Sequence, residues 1–332
     1  MNQTRRRFLY NCGLAGAAAL AGATLPGAVL AASRRNLTMY GPPAGPSVIQ
    51  ARLAETGALD GLVDGLGFEV YRNPDILRTG FVSGRWELAV TPSYVAANLH
   101  NKGIPVRLMN IMTSGLLYLV STDPEVSSVQ DLAGKSVVMP FKADMPDLVL
   151  QHIAAEAGMK AGRDYQLNYV ANPFQALQLL LSGRADHAVL PEPAATAAQL
   201  RGLKSSRKLY RAIDLQQAWG EVTGGEAAIP QAGMVVSEAL VQAMPELPQR
   251  LNQALVESTR WVVNNPASAG SLGEAYLGMK APVIEKSIPF SNFRLTPAAE
   301  GREQIQRFFA ILARGNPAII GGKLPADDFY LA

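Results

Sequence analysis

Alternation limits the fold class before any single residue does. Apolar runs of strand length at residues 37–40, 68–71 and 87–90 are separated by stretches of helical period at 48–56 and 76–83. A third helical stretch runs from Ser93 through Asn101, ahead of apolar runs at 106–113 and 116–121. Parallel strands need long crossovers, usually helical, so this order implies a mainly parallel sheet with helices on both faces. A second series starts near Val129, with strands at 136–139, 166–170 and 188–190 and helices at 146–157, 174–182 and 194–202. A strand at 232–236 and a long helix at 248–264 follow, and the tail from Asn265 reads as helix broken by prolines. The chain of 332 residues is long enough for two such units at roughly 100–200 residues per domain.

Local chemistry supports these assignments. In the helix at 146–157 a proline opens the first turn, Asp144 and Asp147 stand at the positive end of the dipole, and Gly158 stops it. Val149, Leu150, Ile153, Ala154 and Ala157 share one face. In the helix at 248–264 the corresponding face is Leu251, Leu255, Val256, Thr259 and Val262.

The first 31 residues are of another kind. Arg5-Arg6-Arg7-Phe8-Leu9 precedes an uncharged run rich in Ala and Gly, and Val29-Leu30-Ala31 has the small-x-small form of a cleavage site. That order is the order of a secretory signal, and the arginine pair before Phe-Leu resembles the twin-arginine export signal. An ordinary export signal with an extra arginine, or a retained anchor, are the alternatives. The run is poor in Leu and Ile, which disfavours an anchor. Cleavage after Ala31 leaves 27 basic and 27 acidic groups and no cysteine, since Cys12 is the only one. A neutral, cysteine-free chain suits an oxidising compartment and argues against binding nucleic acid. No later stretch reaches 18 apolar residues, so a soluble mature protein is expected.

Catalytic and cofactor motifs are absent. There is no His-Glu-x-x-His, no Gly-x-Ser-x-Gly and no cysteine nucleophile in the mature chain. His100, His152 and His187 lie 52 and 35 residues apart, without the i,i+4 pairing of a helical metal site. His152 reads as a residue of a helix surface and His187 as a hydrogen-bonded one near a strand. Gly321-Gly322-Lys323 lacks both the earlier glycine and the Ser/Thr of a phosphate loop. No cofactor, no metal and no enzymatic activity are expected.

Four segments in order resemble the solute-binding proteins of bacterial ABC importers, in the branch serving sulfonates, nitrate, taurine and thiamine-pyrimidine precursors. They are Gly84-Arg85-Trp86-Glu87-Leu88-Ala89-Val90 with Gly103-Ile104-Pro105-Val106; Asp131-Leu132-Ala133-Gly134-Lys135-Ser136-Val137; Leu181-Ser182-Gly183-Arg184-Ala185-Asp186-His187 ending in Pro191-Glu192-Pro193; and Gly233-Met234-Val235-Val236-Ser237 with Pro245-Glu246-Leu247. The resemblance implies a periplasmic binding protein type 2-like α/β fold, with two lobes joined by two crossing strands around a ligand cleft. Lobe 1 would comprise 36–121 plus 230–332 and lobe 2 would comprise 122–229, with crossings near 119–122 and 225–235. It also implies a monomer in the periplasm, a small polar ligand of anionic or zwitterionic character, a permease of the inner membrane as partner, and the twin-arginine machinery for export. A ligand sensor or assembly partner of a membrane protein, without transport, is one rival. A pyrimidine-precursor synthase of the same fold is another, but the related enzymes need a Cys-rich segment and a reactive histidine. Where the family often has a small Gly-Ser or Ser-Thr loop, this chain has Phe141-Lys142-Ala143-Asp144-Met145, and His187 follows Asp186 where Ala is usual.

Ligands of open α/β sheets bind beyond the carboxyl ends of the strands. Those ends are Tyr40-Gly41-Pro42, Thr91-Pro92-Ser93, Thr113-Ser114-Gly115, the loop from Phe141 and Pro191-Glu192-Pro193. All but the third lead into helices, whose first N–H groups suit an anion. The expected contacts are Gly41 by its backbone, Thr91, Ser93, Thr113 and Ser114 by their hydroxyls, and Tyr40 and Phe141 by their rings. Lys142 would face an anionic group, Asp144 sits on the same loop, Glu192 would meet an amine, and Gln231 precedes the second crossing. For the hydroxyls and Asp144 helix capping is the alternative reading, for Lys142 a solvated side chain, and for Glu192 a carboxylate that favours the helix dipole.

Overall fold

The computed structural model describes residues 35–71 and 74–331. The expected export segment, with Cys12 and the expected cleavage site, lies outside them. The strands are β1 (Asn36–Gly41), β2 (Gly65–Val70), β3 (Leu88–Pro92), β4 (Val106–Leu108), β5 (Asn110–Thr113), β6 (Leu117–Ser121), β7 (Ser136–Pro140), β8 (Gln166–Val170), β9 (His187–Pro191), β10 (Tyr210–Asp214), β11 (Ala232–Ser237) and β12 (Phe293–Pro297). The helices are α1 (Pro46–Ala54), α2 (Pro74–Val82), α3 (Ser93–Asn101), α4 (Met145–Glu156), α5 (Pro173–Leu181), α6 (Ala194–Lys204), α7 (Leu215–Thr223), α8 (Glu238–Ala243), α9 (Leu247–Asn264), α10 (Pro266–Leu277), α11 (Ala281–Ser287) and α12 (Arg302–Gly315).

These elements form two sheets within one unit, Arg34–Ala332. The first runs β12-β5-β11-β3-β1-β2, with β4 also pairing β11, and the second runs β10-β6-β9-β7-β8. Each holds three parallel strands, β2-β1-β3 and β8-β7-β9, as the alternation requires. The remaining pairings are antiparallel, so the sheets are mixed rather than mainly parallel. The antiparallel pairs include the strands that stand beside the passages between the sheets, β11 against β3 and β6 against β9.

The chain leaves the first sheet after β5 and joins the second at β6, so the passage is Ser114-Gly115-Leu116, just ahead of the expected 119–122. It returns between α7 and β11. The two passages are stitched together. Ile229 N donates to Ser114 O at 2.8 Å and Gln231 N to Thr113 O at 3.2 Å. Leu116 N donates to Gln231 Oε1 at 2.9 Å. Gly115 takes φ 113°, and a Cβ there would come within 2.1 Å of Gln216 Cγ, so only glycine fits the turn.

Burial follows the sequence pattern. Leu37 and Met39 on β1 are buried with Val48, Ile49 and Leu53 of α1, while the central residues of β3 are buried on both faces. α4 is capped by Asp144, whose carboxylate accepts from Met145 N at 2.7 Å, and its expected face is buried apart from Ala157, which is partly so. On α9, Val256 is exposed and Ala254 and Ser258 complete the buried stripe. One core cluster spans both sheets, joining Leu99 and Leu108 to Val149, Ile153, Trp219, Phe308 and Phe309. The tail is not all helix, because β12 adds a strand beside β5. Among the described residues no helix is long and apolar enough to cross a membrane.

Candidate functional site

The carboxyl ends of β3 and β7 carry the helices α3 and α4, and the first turns of these helices meet. Tyr94, on α3, lies against the carboxylate of Asp144, the N-cap of α4. Burial, and then that carboxylate, push the Tyr94 phenol well above its usual range. Asn316, just after α12, donates through Nδ2 to Ala143 O at 3.0 Å in the same loop. Elsewhere the second sheet meets the segment before β12. Tyr118 Oη donates to Phe290 O at 2.9 Å, and the Arg211 guanidinium lies 3.6 Å over the Phe290 ring. Strand ends of both sheets are thus bridged by side chains of α3, α4, β10 and the tail.

The loop between β7 and α4 brings Phe141, Lys142 and Asp144 together. Phe141 and Ala143 both have left-handed backbones, φ 63° and 57°. Phe141 N donates to Val170 O at 3.1 Å, and Ala143 N donates to Asp147 Oδ2 at 2.8 Å. Lys142 Nζ lies 5.2 Å over the Tyr169 ring and lines a cavity of about 410 Å³ with His152 and Arg314.

A second group gathers at the passages between the sheets. Ser93 Oγ donates to Pro230 O at 2.5 Å, and Ser93 N donates to Gln231 O at 2.9 Å. Thr113 Oγ1 donates to Ser291 O at 2.5 Å. Ser114 N donates to Asn292 O, and Asn292 Nδ2 donates to Gly115 O at 2.9 Å. Ser93, Thr113, Ser114 and Gln231 therefore knit the passages, a role the sequence does not announce. Thr91 is buried beside the Tyr71 hydroxyl, which donates to Val90 O at 2.9 Å. Gly41 lies under α1, where a Cβ would stand 2.3 Å from Gln50 Oε1 and 2.4 Å from Ser47 Oγ, so that turn also requires glycine.

Two expected contacts are met otherwise. The Tyr40 ring stacks on Trp86, at 3.9 Å between centroids and 6° between planes, and lines a surface cavity of about 380 Å³ with Ile76 and Arg85. The other expected residues are not in that cavity. Glu192 is 1% exposed, and its carboxylate is taken up inside its own sheet. It accepts from Arg211 Nε at 2.7 Å and from Thr196 N and Oγ1 in the first turn of α6. Burial pushes the Glu192 carboxyl up, against the opposing charge of Arg211.

The histidines are accounted for by packing. His100 Nδ1 is 2.9 Å from Val106 O, and His187 Nδ1 is 2.9 Å from Ser121 Oγ. His152 is not on an open surface, because its ring lies 5.2 Å from that of Trp219. Among the described residues no three of His, Cys, Asp and Glu are grouped to hold a metal ion.

Tyr94, Arg211, Phe290 and Asn316 are functional candidates that sequence reasoning missed. Tyr94 adjoins the flagged Thr91-Pro92-Ser93 turn, which was a signal. Arg211 lies on a strand whose pattern gave none.

A family model described as NMT1/THI5 like matches residues 71–269. No curated protein matches the sequence significantly. Among solved structures, an ABC transporter from Parabacteroides distasonis aligns with a TM-score of 0.75 at 23% identity, over 89% of this chain and 98% of that one. The periplasmic aliphatic sulphonate binding protein SsuA from Escherichia coli gives 0.68 at 16% identity, over 88% and 92%. The periplasmic nitrate-binding protein NrtA from Synechocystis PCC 6803 gives 0.64 at 14% identity, over 89% and 83%. These likenesses establish the fold, and they agree with the resemblance carried by the four sequence segments.

Proposed function

Because the chain belongs to the NMT1/THI5-like family, we propose that it is the periplasmic solute-binding component of an ABC importer. It is exported with loss of residues 1–31 through a twin-arginine-type signal and acts as a monomer. It captures a small anionic or zwitterionic solute between lobe 1 (36–121 plus 230–332) and lobe 2 (122–229), and hands it to an inner-membrane permease. The observation that carries this reading is two sheets, each with helices at its strand ends, joined by two hydrogen-bonded passages and bridged beyond them by Asn316 Nδ2 on Ala143 O and Tyr118 Oη on Phe290 O. Helix N-termini on two sheets, joined by the stitched passages and by the core cluster that spans both, form a site whose walls contact a guest together when the lobes close. Ligand that binds the closed form better shifts the population toward it.

The solute is sought among sulfonates, oxyanions, carboxylates, amines and heterocycles. Mixed with purified protein, the right one raises the melting temperature, by about 2.7 kcal/mol of linkage at a hundredfold excess over Kd. No shift across such a panel contradicts the reading. Normal solute uptake in a strain lacking the gene favours a sensor over a transporter. The synthase reading is favoured by the family's own name, and product formed by purified protein with iron would establish it. Against it, His100, His152 and His187 are each engaged in packing or hydrogen bonds of the scaffold.

A further inference from the structure

Each nitrogen of the Arg211 guanidinium is engaged. Nε donates to Glu192 Oε1 at 2.7 Å, Nη2 to Thr196 Oγ1 at 2.6 Å, and Nη1 to Gln199 Oε1. These partners stand at the end of β9 or on α6, on the side of the second sheet. A guanidinium bound along its edge keeps its faces for further contact. One face lies 3.6 Å over the Phe290 ring.

Phe290 is carried by the first sheet. It ends the 3-10 turn Ile288–Phe290, whose Ile288 is buried with Leu251 and Leu255 of α9. The next residue, Ser291, accepts through its carbonyl from Thr113 on β5. Yet the ring meets groups of the second sheet. Tyr118, on β6, stands edge-on to it at 6.2 Å and 90°, and Tyr118 Oη donates to Phe290 O at 2.9 Å. Beside these contacts the packing is open. A cavity of about 480 Å³ lies between Thr196 and Gln199 of α6 and Glu285 and Lys286 of α11, and Phe290, 38% exposed, lines it.

An interaction made in one arrangement of two bodies and lost in another shifts the population toward the first. The bonds of Arg211 to Glu192, Thr196 and Gln199 lie on one side and survive a movement of the sheets. The contacts of Phe290 with Arg211 and Tyr118 cross from sheet to sheet and do not. We propose that these contacts are a clasp, and that Phe290 is a positioning residue that holds the free protein in its closed form. It then sets the affinity for solute through the closed fraction, since apparent affinity scales with the population competent to bind. The inference rests on the solute-binding reading above and concerns the regulation of that site.

The test measures the distance between two spin labels by electron paramagnetic resonance, with no solute added. The labels are attached at Lys102→Cys and Lys160→Cys in the full chain with Cys12→Ser. Both positions are exposed, one at the end of α3 and the other beyond the end of α4. The wild type is expected to show mainly the shorter of two separations. Phe290→Leu removes the ring and keeps an apolar side chain, and is expected to lower the ratio of short to long about tenfold. Tyr118→Phe removes one hydrogen bond across the seam and is expected to lower it about fivefold. Phe290→Tyr keeps the ring and is expected to keep the ratio. So is Phe174→Leu, which removes a ring 62% exposed on α5. A ratio unchanged in both Phe290→Leu and Tyr118→Phe overturns the clasp, as does a wild type already mainly at the longer separation. A fall in Phe290→Tyr as large as in Phe290→Leu overturns the role of the ring. If the ratio responds as expected but no compound of the wider panel raises the melting temperature, the clasp stands and the solute-binding reading fails. If a compound binds while the ratio does not respond, the clasp fails and that reading stands.

Discussion

Arg211 shows how one side chain ties chemistry to architecture. Its guanidinium bonds Glu192, Thr196 and Gln199 on one side and covers Phe290 on the other, and it is only 12% exposed. Arg211→Ala leaves the buried Glu192 carboxylate without its cation, and is expected to cost about 3–5 kcal/mol in denaturant unfolding. A loss below about 1 kcal/mol contradicts this account of the pair. Two histidines set a pH dependence. Burial lowers the pKa of both His152 and His187 from the ordinary 6.5. Each binds its proton more weakly folded than unfolded, so unfolding takes up protons in acid. Their contribution is complete above about pH 6.5 and is lost as pH falls from there through the lowered folded values. The midpoint of thermal unfolding is therefore expected to fall less between pH 7 and 5.5 in a His152→Gln/His187→Gln variant than in the wild type, and an equal fall contradicts it. At this scale the sequence was only partly legible. The turns at the strand ends were legible as turns, because Gly, Pro and Ser there have local causes. Whether Glu192 faces a guest or Arg211 depends on a partner 19 residues away, and no local pattern reports that.

Among the elements, β11 shows why the segment Gly233-Met234-Val235-Val236-Ser237 opens on a glycine. A Cβ on Gly233 would lie 1.7 Å from the backbone carbonyl oxygen of Asn110, because β11 packs against β5 while Asn110 Oδ1 accepts from Met234 N at 3.0 Å. Gly233→Ala is expected to cost at least about 3 kcal/mol, read as a fall in the unfolding midpoint or as loss of soluble protein. Wild-type stability contradicts it. Elements with a clean period were legible, such as β8, whose observed limits Gln166–Val170 match the reading of the sequence. β10 was not, because a bulge between Arg211 and Ile213 breaks the two-residue period and charged Arg211 stands second in the strand. β12 was hidden in the same way, by the irregularity between Phe293 and Thr296 and by Pro297, which only an edge strand accepts.

For the whole molecule, the two sheets and the two passages between them are what local patterns cannot specify. The alternation of strands and helices gives βαβ units, but which strand crosses, and that it then runs antiparallel, is decided by long-range pairings such as Ser121 with His187 and Ala232 with Thr113. The passages carry hydrogen bonds from Thr113, Ser114 and Gln231, while α12 packs against α4 and α7 through Phe308 and Trp219. Under the proposed function, closure is a rotation of the two lobes about the stitched strands. The most direct test is small-angle X-ray scattering of the protein, free and with the compound that most raises its melting temperature, with the compound assayed afterwards for chemical change. A smaller radius of gyration in the complex and an unaltered compound are predicted. An unchanged radius with the site saturated, or conversion of the compound to product, would contradict the account.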